Sequence, residues 1–175
     1  MSKTWLYSDP HFGHVNILKF GTYKGNRLRP LWDDIDKHDE DLIRWYNEVV
    51  SPEDKVYILG DVAMSRKGLD KSLPRLMGRK ILVKGNHDTD KLSYYSQYFD
   101  DVRSVVDKHG FVLSHVPLHP GSLERWGLNI HGHLHDGVVR LDNGRPDSRY
   151  HCVCVEQTNW RPILLDTILK EHKIK

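Results

Sequence analysis

The sequence predicts an α/β protein. Short apolar runs of strand type alternate with helical periodicity through the first half of the chain, the second half is mostly strand, and five of the runs end in Asp, Asn or His. Strand–helix alternation favours a layered body with mixed sheets. The length, 175 residues, fits one domain spanning 1–175. Lys and Arg total 26 and Asp and Glu 24, so the net charge is +2. That balance argues against a dedicated polyanion-coating protein and leaves room for a local basic patch. Residues 1–9 carry no apolar leader pattern, and no run approaches the ~18 apolar residues of a membrane span. The expectation is a cytoplasmic protein with no membrane partner.

The elements follow in order. Thr4 to Ser8 reads as a strand entering the core. Asp34 to Val50 reads as a helix, because Ile35, Leu42, Ile43, Tyr46, Val49 and Val50 recur at helical spacing. Asp33 or Asp34 caps it, and Ser51-Pro52 stops it. Lys55 to Leu59 is a strand ended by Gly60, Leu69 to Met77 a short helix disturbed by Pro74, and Lys80 to Val83 a strand. Val102 to Val106 and Phe111 to Ser114 pair around a turn at Lys108-His-Gly110. Leu128 to Ile130 is a strand. Val138 to Leu141 pairs with His151 to Val155 across Asp142-Asn-Gly. Pro162 to Leu165 leads into a last helix, Thr167 to Glu171. Positions 21–32 form a long polar, basic loop, a length often associated with function.

Two cysteines, Cys152 and Cys154, exclude a disulfide scaffold and a four-thiolate zinc site. They read as small strand residues. The twelve histidines are more telling. Those at 11, 14, 87, 115, 119, 131, 133 and 135 lie in four short segments, each beside an apolar run. Strand ends carry Asp9 and His11, then Asp61, then Asn86, His87 and Asp88, then His115, then His133 and His135. Ligands bind outside the carboxyl ends of strands in α/β sheets. These donors exceed what one cation needs and fit two cations sharing a carboxylate. Nitrogen and oxygen donors without thiolate suit Mn²⁺, Fe, Zn²⁺ or Co²⁺.

Taken together, Asp9-x-His11, Gly60-Asp61, Gly85-Asn86-His87-Asp88, Ser114-His115 and Gly132-His133-x-His135 resemble the ordered signature of the calcineurin-like metallophosphoesterases. The resemblance spans residues 9 to 135. It implies a four-layer α/β/β/α sandwich of two mixed β-sheets flanked by helices, with a dinuclear metal centre at the strand ends. It implies that Asp9, His11 and His135 hold one metal, that Asn86, His115 and His133 hold the other, and that Asp61 bridges them. His87 then sits over the substrate phosphate as proton donor or charge stabiliser, with Asp88 orienting its imidazole. The implied cofactor is a pair of divalent ions, Mn²⁺ first, with Fe, Zn²⁺, Ni²⁺, Co²⁺ and Mg²⁺ as alternatives. The implied reaction is attack of a metal-bound hydroxide on a phosphate ester.

Departures from the family pattern narrow the substrate. Protein phosphatases of this superfamily read Gly-Asp-x-Val-Asp-Arg-Gly, whereas this chain has Gly60-Asp-Val-Ala-Met-Ser-Arg66. The chain is also short for the nucleases and secreted nucleotidases that carry added lobes. It looks like the compact bacterial and phage members, and reads first as a phosphodiesterase acting on a small molecule or nucleotide. A phosphomonoesterase (nucleotide or protein phosphatase) and a nuclease are the alternatives. A nuclease would use Arg66-Lys67, Arg75, Arg79-Lys80 and Lys84 as a basic rim. A non-catalytic scaffold predicts lost donors, and none is lost. Several weaker expectations complete the reading. His14 and Asn16 line the mouth or cap a helix from Val15, and Arg27 and Arg29 hold a phosphate or lie in a solvated loop. His119 is a surface or supporting residue, and His131 is a satisfied buried imidazole. His38 and His109 are surface residues.

Overall fold

Alternate side chains of the first strand enter two different cores, and this alternation organises the molecule. The computed structural model describes residues 2–22 and 24–174; position 23 of the predicted 21–32 loop lies outside them. In β1 (Thr4–Tyr7), Trp5 and Tyr7 join one cluster and Leu6 the other, as the period-2 geometry of a strand dictates. β2 (Lys55–Ile58) sends Val56 and Ile58 to the first cluster and Tyr57 to the second. β3 (Arg79–Val83) likewise divides Leu82 from Val83. Strands buried on both faces read as continuous apolar runs.

The first sheet has the order β4 (Asp101–Arg103), β3, β2, β1, β9 (Ile163–Leu164), in which β1 to β4 are parallel and β9 runs antiparallel to β1. The second has the order β5-β6-β7-β8. There β6 (Phe111–Ser114), β7 (Leu128–His131) and β8 (Tyr150–Cys152) are parallel, and β5 (Val105–Lys108) is antiparallel to β6. Both sheets are mixed, and the inter-sheet core of Leu6, Leu59, Val83, Leu113, Ile130 and Val153 lies between them.

The outer face of the first sheet is covered by α1 (Ile35–Asn47) and α2 (Arg66–Ser72), which supply Leu42, Ile43, Tyr46 and Leu69. Burying each such side chain contributes roughly 1.5–3 kcal/mol. The Asp34 carboxylate caps α1 by accepting from the Lys37 amide at 2.7 Å. α2 begins three residues before the predicted start because Ser65 caps it, and Pro74 turns its end into a 3₁₀ segment, Leu73–Arg75. The outer face of the second sheet is covered more thinly, by the 3₁₀ helix Pro120–Arg125, whose Leu123 packs on Val112 and Tyr150. α3 (Leu92–Tyr95) is a single turn, and α4 (Leu165–Glu171) inserts Ile168 into the inter-sheet core. Among the described residues, no helix is long and apolar enough to cross a membrane.

Two predicted pairings differ. The run 102–106 is divided at Ser104: β4 (Asp101–Arg103) ends the first sheet, and β5 (Val105–Lys108) begins the second. Of these two, β5 alone pairs with Phe111–Ser114. The predicted hairpin of 138–141 with 151–155 does not form. Arg140 bridges Pro146 locally, while β8 joins the parallel set beside β7. β8 buries Tyr150 and Cys152 there, which a pairing with the largely exposed 138–141 segment would not achieve.

Candidate metal centre

The chemistry-bearing residues follow the carboxyl ends of β1, β2, β3, β6 and β7, so parallel strands of both sheets deliver them to one place. Two groups of donors result. Ligand atoms of Asp9, His11 and His135 lie within 4.8 Å of one another, and so do those of Asp61, His115 and His133. The groups meet at Asp61, whose Oδ2 is 3.8 Å from His11 Nε2 and 3.4 Å from His115 Nε2. Asn86 joins the second group through its Oδ1, 2.9 Å from His115 Nε2.

The backbone shows how tightly these loops turn. Asp9, His11, Asp61, His133 and His135 all have positive φ, between 50° and 68°, a region that non-glycine residues enter rarely and at functional sites. The β1 and β2 loops hold each other through His11 N to Asp61 O at 3.2 Å and Phe12 N to Val62 O at 2.9 Å. Two glycines permit the close approach. A Cβ at Gly60 would stand 2.6 Å from the Gly85 backbone and from His115 Nδ1, and a Cβ at Gly132 would collide with Ser8 Oγ and Asp9 Oδ2.

The side chains are oriented from behind. Asp9 Oδ2 accepts from Ser8 Oγ at 2.5 Å, from the His133 amide at 2.9 Å and from the Cys154 thiol at 3.2 Å. Its Oδ1 is buried and has no partner among the described residues, and the same holds for both ring nitrogens of His11. His115 Nδ1 donates to Leu59 O at 2.7 Å, which turns Nε2 toward Asp61. His135 Nδ1 faces Glu156 Oε1 at 3.0 Å, which turns its Nε2 inward. This carboxylate–imidazole pairing is the usual support of a metal-binding histidine. Burial would raise the Asp9 pKa, but the imidazoles of His11, His115 and His135 outweigh it and hold the carboxyl low. Burial would lower that of His115, but Asp61 and Asp9 push it up to about 9. Orphaned buried Asp9 Oδ1 and His11 Nε2, 3.7 Å apart, are what a pair of ligands leaves when no cation lies between them. The donor set therefore fits divalent metal.

His87 and Asn86 are exposed at the rim. The His87 ring centre is 5.8 Å from that of His11, and its amide donates to Asp61 Oδ1 at 2.9 Å. Asp88 does not orient His87, contrary to the expectation. Its carboxylate is buried and accepts from the amides of Asp61 (2.9 Å), Gly85 (2.8 Å) and Val62 (3.0 Å). Three N–H donors occupy it, so it ties the β3 loop to the β2 loop and positions Asp61. His14 packs on His11 with ring centres 5.5 Å apart and planes tilted by 51°, caps no helix through its side chain and is half-buried, whereas Asn16 is exposed. His131 is buried and satisfied, its Nδ1 donating to Gly132 O at 2.7 Å. His109 and His119 are exposed.

Besides Asp88, two roles differ from the sequence reading, and one residue was missed. Arg29 is fully buried and holds no substrate. Its five N–H groups meet Asp9 O, Pro10 O, His38 Nε2 and, twice, Glu156 Oε1, at 2.6–2.9 Å. It clamps the carbonyls of the strained β1 loop. His38 is buried instead of exposed, because Arg29 and Trp32 fold back over that face of α1. The missed residue is Glu156. Its signal was an acidic residue directly after the apolar run Val153-Cys-Val155, the same pattern that exposed the other strand-end donors.

Comparisons with known proteins agree with this geometry. A sequence profile of the calcineurin-like phosphoesterases matches residues 2–171. An uncharacterised protein of Methanocaldococcus jannaschii is 33% identical over 178 residues, covering 97% of this chain and 91% of its own. The gene 66 protein of Mycobacterium phage L5 is 39% identical over 120 residues, 66% of this chain and 52% of its own. A solved structure of a protein of unknown function from Aquifex aeolicus superposes with a TM-score of 0.72 at 28% identity, covering 98% of this chain and all of its own. The phosphopantetheinyl hydrolase of Mycobacterium tuberculosis shares the fold at a TM-score of 0.50 and 14% identity, over 94% of this chain and 96% of its own.

Proposed function

This chain belongs to the calcineurin-like phosphoesterase family, so it is a metal-dependent hydrolase of phosphoric esters, and we propose that it is a phosphodiesterase with a dinuclear centre. The carrying observation is the meeting of two donor groups at Asp61 Oδ2 beside the unpartnered Asp9 Oδ1 and His11 Nε2. Asp9, His11 and His135 would hold one ion, Asn86, His115 and His133 the other, and Asp61 both. Mn²⁺ is the first candidate for this donor set. When bound, two divalent cations supply a clamp on phosphoryl oxygens and acidify water.

The chain's own residues do the rest. Asp61 keeps Oδ1 on the His87 amide and leaves Oδ2 as the shared ligand. His87, at the open rim, is placed to donate a proton to the leaving oxygen or to stabilise charge on it. Two observations support a diester. A cleft of about 330 Å³ beside Asn86 and His115 is lined by Val105, Val116 and Leu118, room for a second, organic substituent. The arginines of the flanking loops are also committed elsewhere, so a dianionic monoester finds no free guanidinium among them. Arg29 is buried, Arg27 pairs with Asp33 at 2.7 Å and Arg66 with Asp90 at 2.8 Å. Of the basic residues a nuclease would use, Arg75 and Arg79 are paired with Glu40 and Asp100, whereas Lys84 lines the cleft itself.

The test is hydrolysis of a bis-nitrophenyl diester and of the matching monoester, with Mn²⁺ and then with chelator. We expect chelatable turnover that favours the diester. His87→Ala should lower the rate by about 10²–10⁴-fold with metal content unchanged. Faster monoester turnover would overturn the diester assignment. Full activity and full metal content in Asp61→Asn would overturn the shared ligand.

A further inference from the structure

A separate group of metal-capable side chains lies outside the centre. His151 of β8 meets Glu171 and His172 at the carboxyl end of α4, with one ligand atom of each within 4.8 Å of the other two. We propose that these three residues form a second, peripheral site for a borderline transition cation, Zn²⁺ first, which pins the end of α4 to the edge strand of the second sheet.

The donor chemistry selects the ion. Two imidazoles and one carboxylate suit Zn²⁺, Co²⁺ or Ni²⁺ and disfavour Ca²⁺ or Mg²⁺, which take oxygen. The geometry is close to ready. His151 Nδ1 and His172 Nε2 face each other at 3.1 Å, with ring planes at 78°. Two nitrogens bound to one tetrahedral Zn²⁺ at ~2.0–2.1 Å stand roughly 3.3–3.4 Å apart, so a shift of a few tenths of an ångström admits the ion. Both histidines are half-buried and Glu171 is exposed, which leaves an entry path from solvent.

The location gives the site a task. α4 has seven residues, and Ile168 is the one it buries fully; a helix that short is marginal without tertiary anchors. A cation here would close the 151–172 segment and fix the last turn, just before the chain reverses at Lys173 with φ 55°.

The experiment uses the full chain, stripped with chelator, reloaded with Zn²⁺, dialysed and analysed for bound metal by plasma mass spectrometry. His172→Ala and Glu171→Gln are treated in parallel, and melting in chelator checks that each is folded. We expect each variant to retain one Zn²⁺ fewer than the unsubstituted protein, with Mn²⁺-supported hydrolysis unchanged. The Co²⁺ form of Asp61→Asn should keep a tetrahedral visible spectrum that loses intensity when His172→Ala is added. Equal Zn²⁺ content in the unsubstituted protein and in Glu171→Gln and His172→Ala would overturn the site, whatever number of ions the main centre holds.

Discussion

The two oxygens of Asp9 occupy different environments, and the difference shows how single residues build the centre. Oδ2 is held by three donors from three segments, Ser8, His133 and Cys154, while Oδ1 is left unpartnered. Glu156 does for His135 what those donors do for Asp9. It is buried to 4% exposure, accepts from Arg29 and His135, and thereby fixes which ring nitrogen faces the site. Glu156→Gln keeps the shape but removes the charge that favours this tautomer and balances Arg29. Loss of such a supporting group typically lowers metal affinity by about 10–100-fold. We expect Mn²⁺ titrations of Glu156→Gln to show that loss, with turnover recovered at saturating metal. An unchanged Mn²⁺ affinity would remove Glu156 from the support of the centre.

At the scale of elements, the strand ends were legible because each is an apolar run interrupted by residues that apolar cores exclude. The donors at 9, 11, 61, 86, 115, 133 and 135 stand out in this way, and Gly60 and Gly132 mark the tight approaches. The helical periodicity of α1 was legible for the same reason. What stayed hidden depends on contacts remote in sequence. Nothing local tells that the run 102–106 divides at Ser104 between two sheets, or that Arg29 crosses to Glu156, 127 residues away. His38 belongs to this class: its helix position predicts solvent, but a loop buries it. Its Nδ1 donates to Asp39 at 2.8 Å and its Nε2 accepts from Arg29 at 2.7 Å, an arrangement only the neutral ring can make. Burial lowers its pKa from 6.5, with the Asp39 hydrogen bond opposing and Arg29 reinforcing the shift. The folded state therefore binds this proton less tightly than the unfolded chain. Below pH 6.5 the unfolded state holds more protons, so stability is lost as pH falls through that value. Urea midpoints should drop between pH 7 and pH 5, and drop less in His38→Gln, which starts lower at pH 7. An equal drop in both proteins would remove His38 as a source of acid sensitivity.

At the scale of the molecule, the centre is a seam between the two sheets. Asp9, His11, Asp61 and Asn86 follow strands of the first sheet, and His115, His133 and His135 follow strands of the second. This seam sets two carboxylates near each other, Asp9 and Asp61; burial and, more weakly, Asp9 disfavour the Asp61 carboxylate, and His115 with the His87 amide outweigh them. It also leaves Asp9 Oδ1 and both His11 nitrogens buried without partners, and each such group carries a desolvation penalty of about 1–3 kcal/mol. Cations bound between the groups would satisfy Asp9 Oδ1 and one His11 nitrogen and join the sheets, an interaction the unfolded chain cannot reproduce. Binding to the native state alone stabilises by about 2.7 kcal/mol at a ligand concentration one hundred times Kd. For a chain of this size each kcal/mol moves Tm by roughly 2–4 °C. Chelation should therefore lower the Tm of the Mn²⁺-loaded protein by roughly 5–10 °C, and the drop should persist in His172→Ala, since Mn²⁺ held by the seam does not depend on the peripheral histidines. A Tm indifferent to Mn²⁺ and chelator, in protein shown to bind the metal, would mean that the two sheets are held by the Leu6–Leu113–Ile130 core alone and that the centre contributes chemistry without cross-linking them.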